Sequence, residues 1–155
     1  MRRVLLATLL ALALPALAHA GTPVPLSAGD VPALLKPPAH GVRILAIWAL
    51  DCAYCEANMQ VLAKLQRAHP REVELVTVAT DSIAQGAQIA ARLKAMRMDG
   101  YPARAYAEAS PERLDFLLDP NWGGETPRTE IIRADGSRQG ISGELTAPQL
   151  QKLRP

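Results

Sequence analysis

The chain has 155 residues, 49% of them hydrophobic and 21% charged, which is enough for one domain with a buried core. Seventeen Lys and Arg residues stand against fifteen Asp and Glu, and the excess disappears once Arg2 and Arg3 are removed with the leader segment. This balance, without a basic stripe, excludes a nucleic-acid-binding protein or one attracted by charge to anionic lipid.

The first twenty residues predict a secretory signal peptide. Two arginines precede an almost unbroken apolar run, Val4–Leu17, and Ala18-His19-Ala20 has the small-x-small pattern of a cleavage site. The apolar run is short for a helix that spans a bilayer. We therefore expect a periplasmic protein that begins at Gly21 and is not anchored in the membrane after cleavage.

Residues 21–41 are rich in proline and glycine and predict an exposed N-terminal extension. One short helix fits within it, capped by Asp30 and running through Leu34-Leu35. The predicted domain covers residues 42–155 and opens with a strand at Val42–Trp48. This strand is almost continuously apolar, as expected for a strand that is covered on both faces.

A helix is predicted over Cys52–Ala68. The residues that recur on one of its faces are Cys55, Met59, Leu62 and Leu65. This pattern places Cys55 on the inward face of the helix. Cys52 is expected in the first turn, near the solvent-exposed tip.

The remaining elements follow from apolar periodicity and from turn residues. We expect strands at Val73–Ala79, Arg128–Arg133 and Arg138–Ser142, a short strand within Tyr101–Ala107, and helices at Ile83–Met98, Ser110–Leu118 and Thr146–Leu153. Asp81 or Ser82 is expected to cap the first of these helices, and Asp135-Gly136 to turn the hairpin. An early β-α-β unit gives parallel strands and the hairpin gives antiparallel ones. The predicted fold class is therefore α/β, with a mixed central sheet and helices on both faces.

Both cysteines of the chain lie in one Cys-x-x-Cys motif, Cys52-Ala53-Tyr54-Cys55. Such a loop closes too few residues to constrain the unfolded chain much, so it is a poor structural staple. A helix N-terminus stabilises a thiolate, and the thiolate is the attacking species in disulfide exchange. Cys52 is therefore the expected nucleophile and Cys55 the expected resolving thiol, and the electrons must pass to another molecule. A structural disulfide or a metal-binding pair remains the alternative, although zinc would need further ligands.

Thr126-Pro127 lies between a glycine-containing loop and the strand at residues 128–133. It can be an ordinary proline at the edge of a strand. It can also be a cis-proline that lies against the disulfide and leaves backbone groups free to pair with a substrate chain, since X–Pro bonds lose most of the preference for trans. The local sequence leaves both interpretations open.

These features together resemble the thioredoxin fold, and specifically the exported TlpA-like thiol–disulfide oxidoreductases. The resemblance is carried by Ile44–Leu65, which holds the strand and the Cys-x-x-Cys helix, by the next strand in Val73–Asp81, and by the Pro-x-Thr strand and Asp-Gly hairpin of Glu125–Gly143. It implies a thioredoxin-like fold in which Pro127 is the family's cis-proline. It also implies a reductase or oxidase that acts on cysteines of other exported proteins, as in cytochrome c maturation or copper-site assembly. The redox group would be the Cys52–Cys55 disulfide, with no bound cofactor.

Several positions depart from the family pattern. The residue before the first cysteine is Asp51 rather than Trp, and no proline lies between the cysteines. Asn58 and Gln60 replace a frequent Glu and a frequent Pro, and Ala46 replaces the buried carboxylate of true thioredoxins. The usual proton-handling side chain is therefore missing from both expected places.

Two acidic residues flank the predicted site. Asp51 can cap the helix, or it can disfavour the Cys52 thiolate electrostatically and so make the disulfide less oxidising, and one side chain could do both. Glu125, next to Thr126, can transfer a proton to Cys55 or can be a solvated loop acid.

Three aromatic residues complete the predicted site. Tyr54 and Trp122 are candidates for an apolar rim where a substrate peptide docks. Core packing is the alternative, and we favour it for Trp122. Trp48 ends the first strand and is expected to pack beneath the active-site loop.

The sequence favours a periplasmic reductase of disulfides in exported proteins, regenerated by a membrane-bound thiol electron donor because the compartment supplies no soluble reductant. A disulfide oxidase or isomerase is the alternative within the same class. A Cu(I)-binding module is the alternative from a different class, with the two cysteines and Met59 as soft ligands. Met59 shares its helix face with Leu62, however, so core packing explains it better.

Overall fold

The structure, a computed structural model, describes residues 22–153, so the predicted signal peptide lies outside the described residues. Its strands are β1 (Val24–Leu26), β2 (Val42–Trp48), β3 (Val73–Ser82), β4 (Ala103–Tyr106), β5 (Arg128–Arg133) and β6 (Arg138–Ser142). Its helices are α1 (Val31–Leu34), α2 (Cys55–Ala68), α3 (Gly86–Ala95), α4 (Pro111–Leu118) and α5 (Ala147–Lys152). Within this range, every helix is too short or too polar to span a bilayer.

The strands form one mixed sheet in the order β1-β4-β3-β2-β5-β6. The strands β1, β4, β3 and β2 pair in parallel, whereas β5 pairs antiparallel with β2 and with β6. This confirms the expected mixed sheet, and the two hairpin strands have the predicted bounds. The carboxyl end of β2 consequently lies beside the amino end of β5, at the same end of the sheet.

Side chains of β2 alternate between two cores, because successive residues of a strand point to opposite faces. Ile44, Ala46 and Trp48 pack in the first core, which contains residues of α2 and α3. Leu45 and Ile47 pack in the second core, which contains residues of α1 and α4. Helices therefore cover both faces of the sheet, as predicted, and this explains why β2 is apolar almost throughout.

Helix α2 begins three residues later than the sequence predicts, at Cys55 rather than at Cys52. Its N-cap is Tyr54, and residues 49–52 form a turn in which the Cys52 N–H donates to the Ala49 carbonyl oxygen (3.2 Å). Apolar periodicity could not locate this start, because the predicted first turn holds no inward-facing residue before Cys55. The two cysteines therefore lie on either side of the junction between loop and helix.

Helix α3 is also shorter than the predicted Ile83–Met98. A 3-10 turn at Ile83–Gln85 precedes it, and the Ser82 hydroxyl caps this turn by accepting a hydrogen bond from the Ala84 N–H (3.2 Å). Of the two predicted caps, Ser82 is therefore correct. Asp81 instead contacts the active-site loop.

The N-terminal segment contributes to the sheet, although the sequence predicts an exposed extension there. Residues 24–26 form the edge strand β1, which pairs in parallel with β4. Leu26 is fully buried in the second core. Pro23 and Pro25 interrupt any strand pattern at this point, because proline cannot donate a ladder hydrogen bond. The sheet therefore begins before the boundary expected at residue 42.

Candidate active site

The two cysteines form a disulfide where the loop after β2 meets α2, with their Cα atoms 5.5 Å apart. Cys52 is half-buried, whereas Cys55, the first residue of α2, is only 1% exposed. Cys52 is therefore the more accessible of the two cysteines. This asymmetry is what the roles of nucleophile and resolving thiol require.

The amino end of α2 lies beside the disulfide. Cys52 precedes the N-cap by two residues, so it lies next to the positive end of the helix dipole rather than within the first turn. Glu56 is an acidic residue in that first turn, and its carboxylate pairs with Arg92 (3.3 Å). The local charge around Cys52 is thus set by the helix dipole and by the adjacent Asp51.

Asp51 does not cap α2. The N-cap is Tyr54, and no side-chain hydrogen bond caps this helix within the described residues. The predicted capping role of Asp51 is therefore wrong, because the helix starts three residues beyond the position that a cap at 51 would need. Asp51 is exposed next to Cys52, and its electrostatic role stays a prediction.

Replacing Asp51 by asparagine should lower the pKa of the Cys52 thiol in the reduced protein, because the change removes a negative charge beside the thiolate. Asp51 is exposed, so water screens the interaction, and the shift should stay below about one unit. The measurement is the rate of Cys52 alkylation as a function of pH. Asp99→Asn, an exposed aspartate in the turn before β4, is the matched control. An unchanged Cys52 pKa in Asp51→Asn would remove the tuning role.

The Thr126-Pro127 peptide bond is cis. The register of β5 on β2 pairs Arg128 with Ile47, so Pro127 adjoins the end of β2 from which the active-site loop leaves. Pro127 is buried, and its carbonyl oxygen accepts a hydrogen bond from the Gly143 N–H (2.8 Å). The loop that leads into β5 and the loop that follows β2 therefore lie side by side at the same end of the sheet.

Asn58 connects α2 to the segment that supports the proline loop. It is 3% exposed, its Nδ2 donates to the Gly143 carbonyl oxygen (2.8 Å), and its Oδ1 accepts from the Leu145 N–H (2.9 Å). Gly143 in turn donates to Pro127, so one buried amide links the helix that begins at the disulfide to the proline. The sequence marks Asn58 only as a departure from a family pattern. Its place on the inward side of α2, three residues after Cys55, was the signal that could have identified it.

The three aromatic candidates divide between core and surface. Trp48 is 1% exposed and packs in the first core with Cys55, and its Nε1 has no hydrogen-bond partner among residues 22–153. Trp122 is buried and its Nε1 donates to the Glu125 carbonyl oxygen (2.9 Å), so its core interpretation is confirmed and a role in the rim is wrong. Tyr54 is 70% exposed and remains the candidate for the rim.

Glu125 is exposed, and its carboxylate accepts a hydrogen bond from the Ser142 hydroxyl. This hydrogen bond holds the pKa of Glu125 below its usual value, and the nearby Arg128 guanidinium acts in the same direction. A carboxylate that stays ionised is poorly suited to hold a proton for Cys55 near neutral pH. The structure therefore favours a solvated loop acid.

Arg128 directly follows Pro127 and is only 8% exposed. It connects the start of β5 to residues of the neighbouring segments. The partners of its guanidinium are Glu130 (2.7 Å), the Ser142 hydroxyl (2.8 Å), Asp119 and the ring of Trp122 (6.0 Å to the centroid). Burial raises the pKa of Glu130, and the ion pair with Arg128 acts against that rise. Sequence reasoning missed this cluster, because charged residues at the start of a strand are usually exposed.

Of the three residues proposed as copper ligands, Met59 is explained by packing. Met59 is 1% exposed and lies in the first core with Leu62, so its core interpretation is confirmed. Across residues 22–153, no group of three or more His, Cys, Asp or Glu side chains is arranged to hold a metal ion. Binding of Cu(I) by the two cysteines alone stays a prediction.

Solved structures with the same architecture identify the fold. A secreted disulfide oxidoreductase of Mycobacterium tuberculosis, homologous to E. coli DsbE, is 20% identical with a TM-score of 0.55, and the match covers 78% of this chain and 81% of that one. A thioredoxin-related protein from Neisseria meningitidis serogroup B is 27% identical with a TM-score of 0.57, covering 77% and 84%. StoA from Bacillus subtilis is 22% identical with a TM-score of 0.53, covering 76% and 84%. No protein-family model and no curated protein matches the sequence.

These similarities confirm the predicted thioredoxin-like α/β fold. The thioredoxin-related protein from Neisseria meningitidis also agrees with the resemblance to thioredoxin-fold proteins that the sequence shows. The disulfide of this chain lies at the carboxyl edge of the parallel strands, where open α/β sheets place their functional sites.

Proposed function

We propose that this chain, a thiol–disulfide oxidoreductase of the thioredoxin fold, is a reductase of disulfides in exported proteins. The observation that carries the proposal is the Cys52–Cys55 disulfide, with one cysteine accessible in a loop and the other buried at the start of a helix. The exposed Tyr54 between them offers an apolar surface to a substrate chain. The substrates are therefore proteins that contain cysteine.

The reaction transfers two electrons through one mixed disulfide. The Cys52 thiolate attacks a substrate disulfide, forms a bond to one substrate sulfur and releases the other as a thiolate, which takes up a proton. Cys55 then loses its proton, and its thiolate attacks Cys52 and releases the second substrate thiol. The substrate gains two electrons and two protons, and the enzyme leaves as the Cys52–Cys55 disulfide.

The charge around Cys52 favours the direction of reduction. A disulfide is a strong oxidant when its reduced, thiolate form is especially stabilised. Here the adjacent Asp51 should oppose thiolate formation, whereas the Glu56 carboxylate in the first helical turn is paired with Arg92. The reduced form of the cysteine pair should therefore be a good electron donor to substrate disulfides.

The proposed setting is the periplasm, reached through the cleavable signal peptide predicted at residues 1–20. An oxidising compartment supplies no soluble pool of reductant, so a membrane-bound thiol electron donor would return the disulfide to the dithiol form. No cofactor beyond the two cysteines is needed for this cycle. Cytochrome c maturation and copper-site assembly are the settings in which such reductases act.

The reduction potential tests the proposed direction. Equilibration of the chain with glutathione and dithiothreitol buffers should give a potential much nearer to that of thioredoxin, about −270 mV, than to that of the strongest exported oxidants, about −120 mV. The reduced protein should also reduce the disulfides of insulin without added metal. Protein alkylated on both cysteines is the control for the insulin assay.

Two other outcomes would replace the proposal. A potential near about −120 mV would assign the chain to the oxidases or isomerases. Failure to reduce insulin, together with one Cu(I) bound per reduced chain in competition with a Cu(I) chelator, would assign it to the copper-binding proteins.

A further inference from the structure

Strand β3 carries a bulge near its carboxyl end. The disulfide lies at the same end of the sheet. Its pairing with β4 joins Ala79 to Ala105 and then Ser82 to Tyr106, so three steps along β3 correspond to one step along β4. The inserted dipeptide is Thr80-Asp81. Bulges are frequent beside active sites, where they redirect side chains that a regular strand would point elsewhere.

Both side chains of the bulge contact the backbone where β2 ends and the active-site loop begins. The Thr80 hydroxyl donates to the Trp48 carbonyl oxygen (3.4 Å), and Oδ2 of Asp81 accepts from the Leu50 N–H (2.8 Å). The Asp81 contact is the shorter of the two, and its acceptor is a carboxylate, which forms stronger hydrogen bonds than a neutral oxygen.

The contact with Leu50 is transmitted to Cys52. Leu50 lies beyond the last residue of β2, so its N–H has no partner in the sheet. The Cys52 N–H donates to the Ala49 carbonyl oxygen, and Leu50 and Cys52 both pack, half-buried, against the first core. A change in the position of Leu50 therefore moves the turn that carries the nucleophile.

We infer that Asp81 is a positioning residue for Cys52, and that it acts by holding the Leu50 amide through the β3 bulge. This inference rests on the proposed function, because it assigns Asp81 a part in presenting Cys52 to a substrate disulfide. Asp81 is free for this contact because Ser82, not Asp81, caps the 3-10 turn that follows. Geometry, rather than the charge of Asp81, carries the effect.

Substitutions of Asp81 separate the hydrogen bond from the charge. Asp81→Ala removes both, and it should raise hydrogen–deuterium exchange at the Leu50 amide and lower kcat/KM for insulin reduction, each on the order of tenfold, as expected for the loss of one hydrogen bond. Asp81→Asn retains an acceptor oxygen and should restore most of both properties. Asp99→Ala, in an exposed turn remote from the contact, is the control and should change neither.

The inference would be overturned if Asp81→Ala and Asp81→Asn both kept the Leu50 exchange rate of the wild type. Both variants would then shift the Cys52 pKa by the same amount. Such a result would assign Asp81 an electrostatic role. Asp81→Glu serves if Asp81→Ala does not fold: it keeps the charge but displaces the acceptor, so it should behave as Asp81→Ala is expected to. The amide exchange is measured on reduced protein and needs no substrate, so it tests the contact between Asp81 and Leu50 by itself. Whether the chain reduces disulfides is decided separately, by the insulin assay on the wild type.

Discussion

Replacement of Cys52 by serine should reduce insulin reduction to the uncatalysed rate, whereas replacement of Cys55 should leave the first attack intact. The reason is the difference in exposure: Cys52 is half-buried in a loop, and Cys55 is 1% exposed at the start of α2. Only an accessible thiolate can attack a disulfide of another protein. Without Cys55 the mixed disulfide cannot be resolved from within, so Cys55→Ser should accumulate covalent complexes.

The two serine variants are matched controls for each other, because each removes one sulfur from the same motif. Cys55→Ser, expressed with its signal peptide, should yield thiol-sensitive complexes whose partners mass spectrometry identifies. Cys52→Ser should yield none. The reverse pattern, with complexes formed through Cys55, would show that the assigned roles of the two cysteines are exchanged. Complexes with unrelated abundant proteins alone would contradict a specific reductase.

Replacement of Arg128 by methionine should lower the free energy of unfolding by about 3 kcal/mol, because it leaves the buried Glu130 carboxylate with only the more distant Arg138 guanidinium (3.9 Å). Arg128 is 8% exposed and its Nε lies 2.7 Å from Oε1 of Glu130, which is 1% exposed. Gly140 shows how closely the pair is enclosed, since a Cβ at that position would overlap both the guanidinium and the carboxylate. Methionine keeps the apolar stem of the side chain as far as the position of Nε, so the change removes mainly the charge and the hydrogen bonds.

The loss of stability should depend on pH in a defined direction. Burial already raises the pKa of Glu130 in the folded protein, and the removal of Arg128 raises it further. Between the unfolded and folded pKa values the folded state binds more protons, so stability falls as pH rises through this window. The variant should therefore differ most from the wild type at neutral pH and less in acid.

Denaturant unfolding at several pH values measures the effect. Arg113→Met is the matched control, because Arg113 is exposed and lies 4.0 Å from Glu108, and surface pairs of this kind contribute less than about 1 kcal/mol. If Arg128→Met were as stable as Arg113→Met at pH 7, the buried pair would not stabilise the folded chain. A loss that did not change with pH would mean that Glu130 is not the group left unpaired.

Local patterns in the sequence predicted the elements whose position depends on residues close together in the chain. The hairpin strands β5 and β6 have the predicted bounds because Asp135-Gly136 specifies the turn between them. The inward face of α2 was readable from the spacing of Cys55 and Met59. The core position of Trp122 likewise agrees with the interpretation favoured from its residue type.

Other features of the site depend on contacts that local sequence patterns do not record. The N-cap of α2 is Tyr54 rather than Asp51, because the turn at Ala49 and the disulfide decide where the helix can start. The link from Asn58 to Leu145 spans 87 residues. A pattern of a few residues cannot encode a contact of this kind.

The sequence by itself determined the chemistry of this protein: two thiols three positions apart after a buried strand, and a β-α-β unit followed by a hairpin that together specify a mixed sheet. Only the tertiary structure decided that α2 starts at Cys55, that Asp81 contacts the active-site loop, and that Arg128 pairs with a buried carboxylate. The physical reason is that periodicity and turn residues express the preferences of adjacent residues. Exposure, ion pairing and the bracing of a loop depend instead on side chains that are distant in the chain and meet only when the sheet and its helices are assembled.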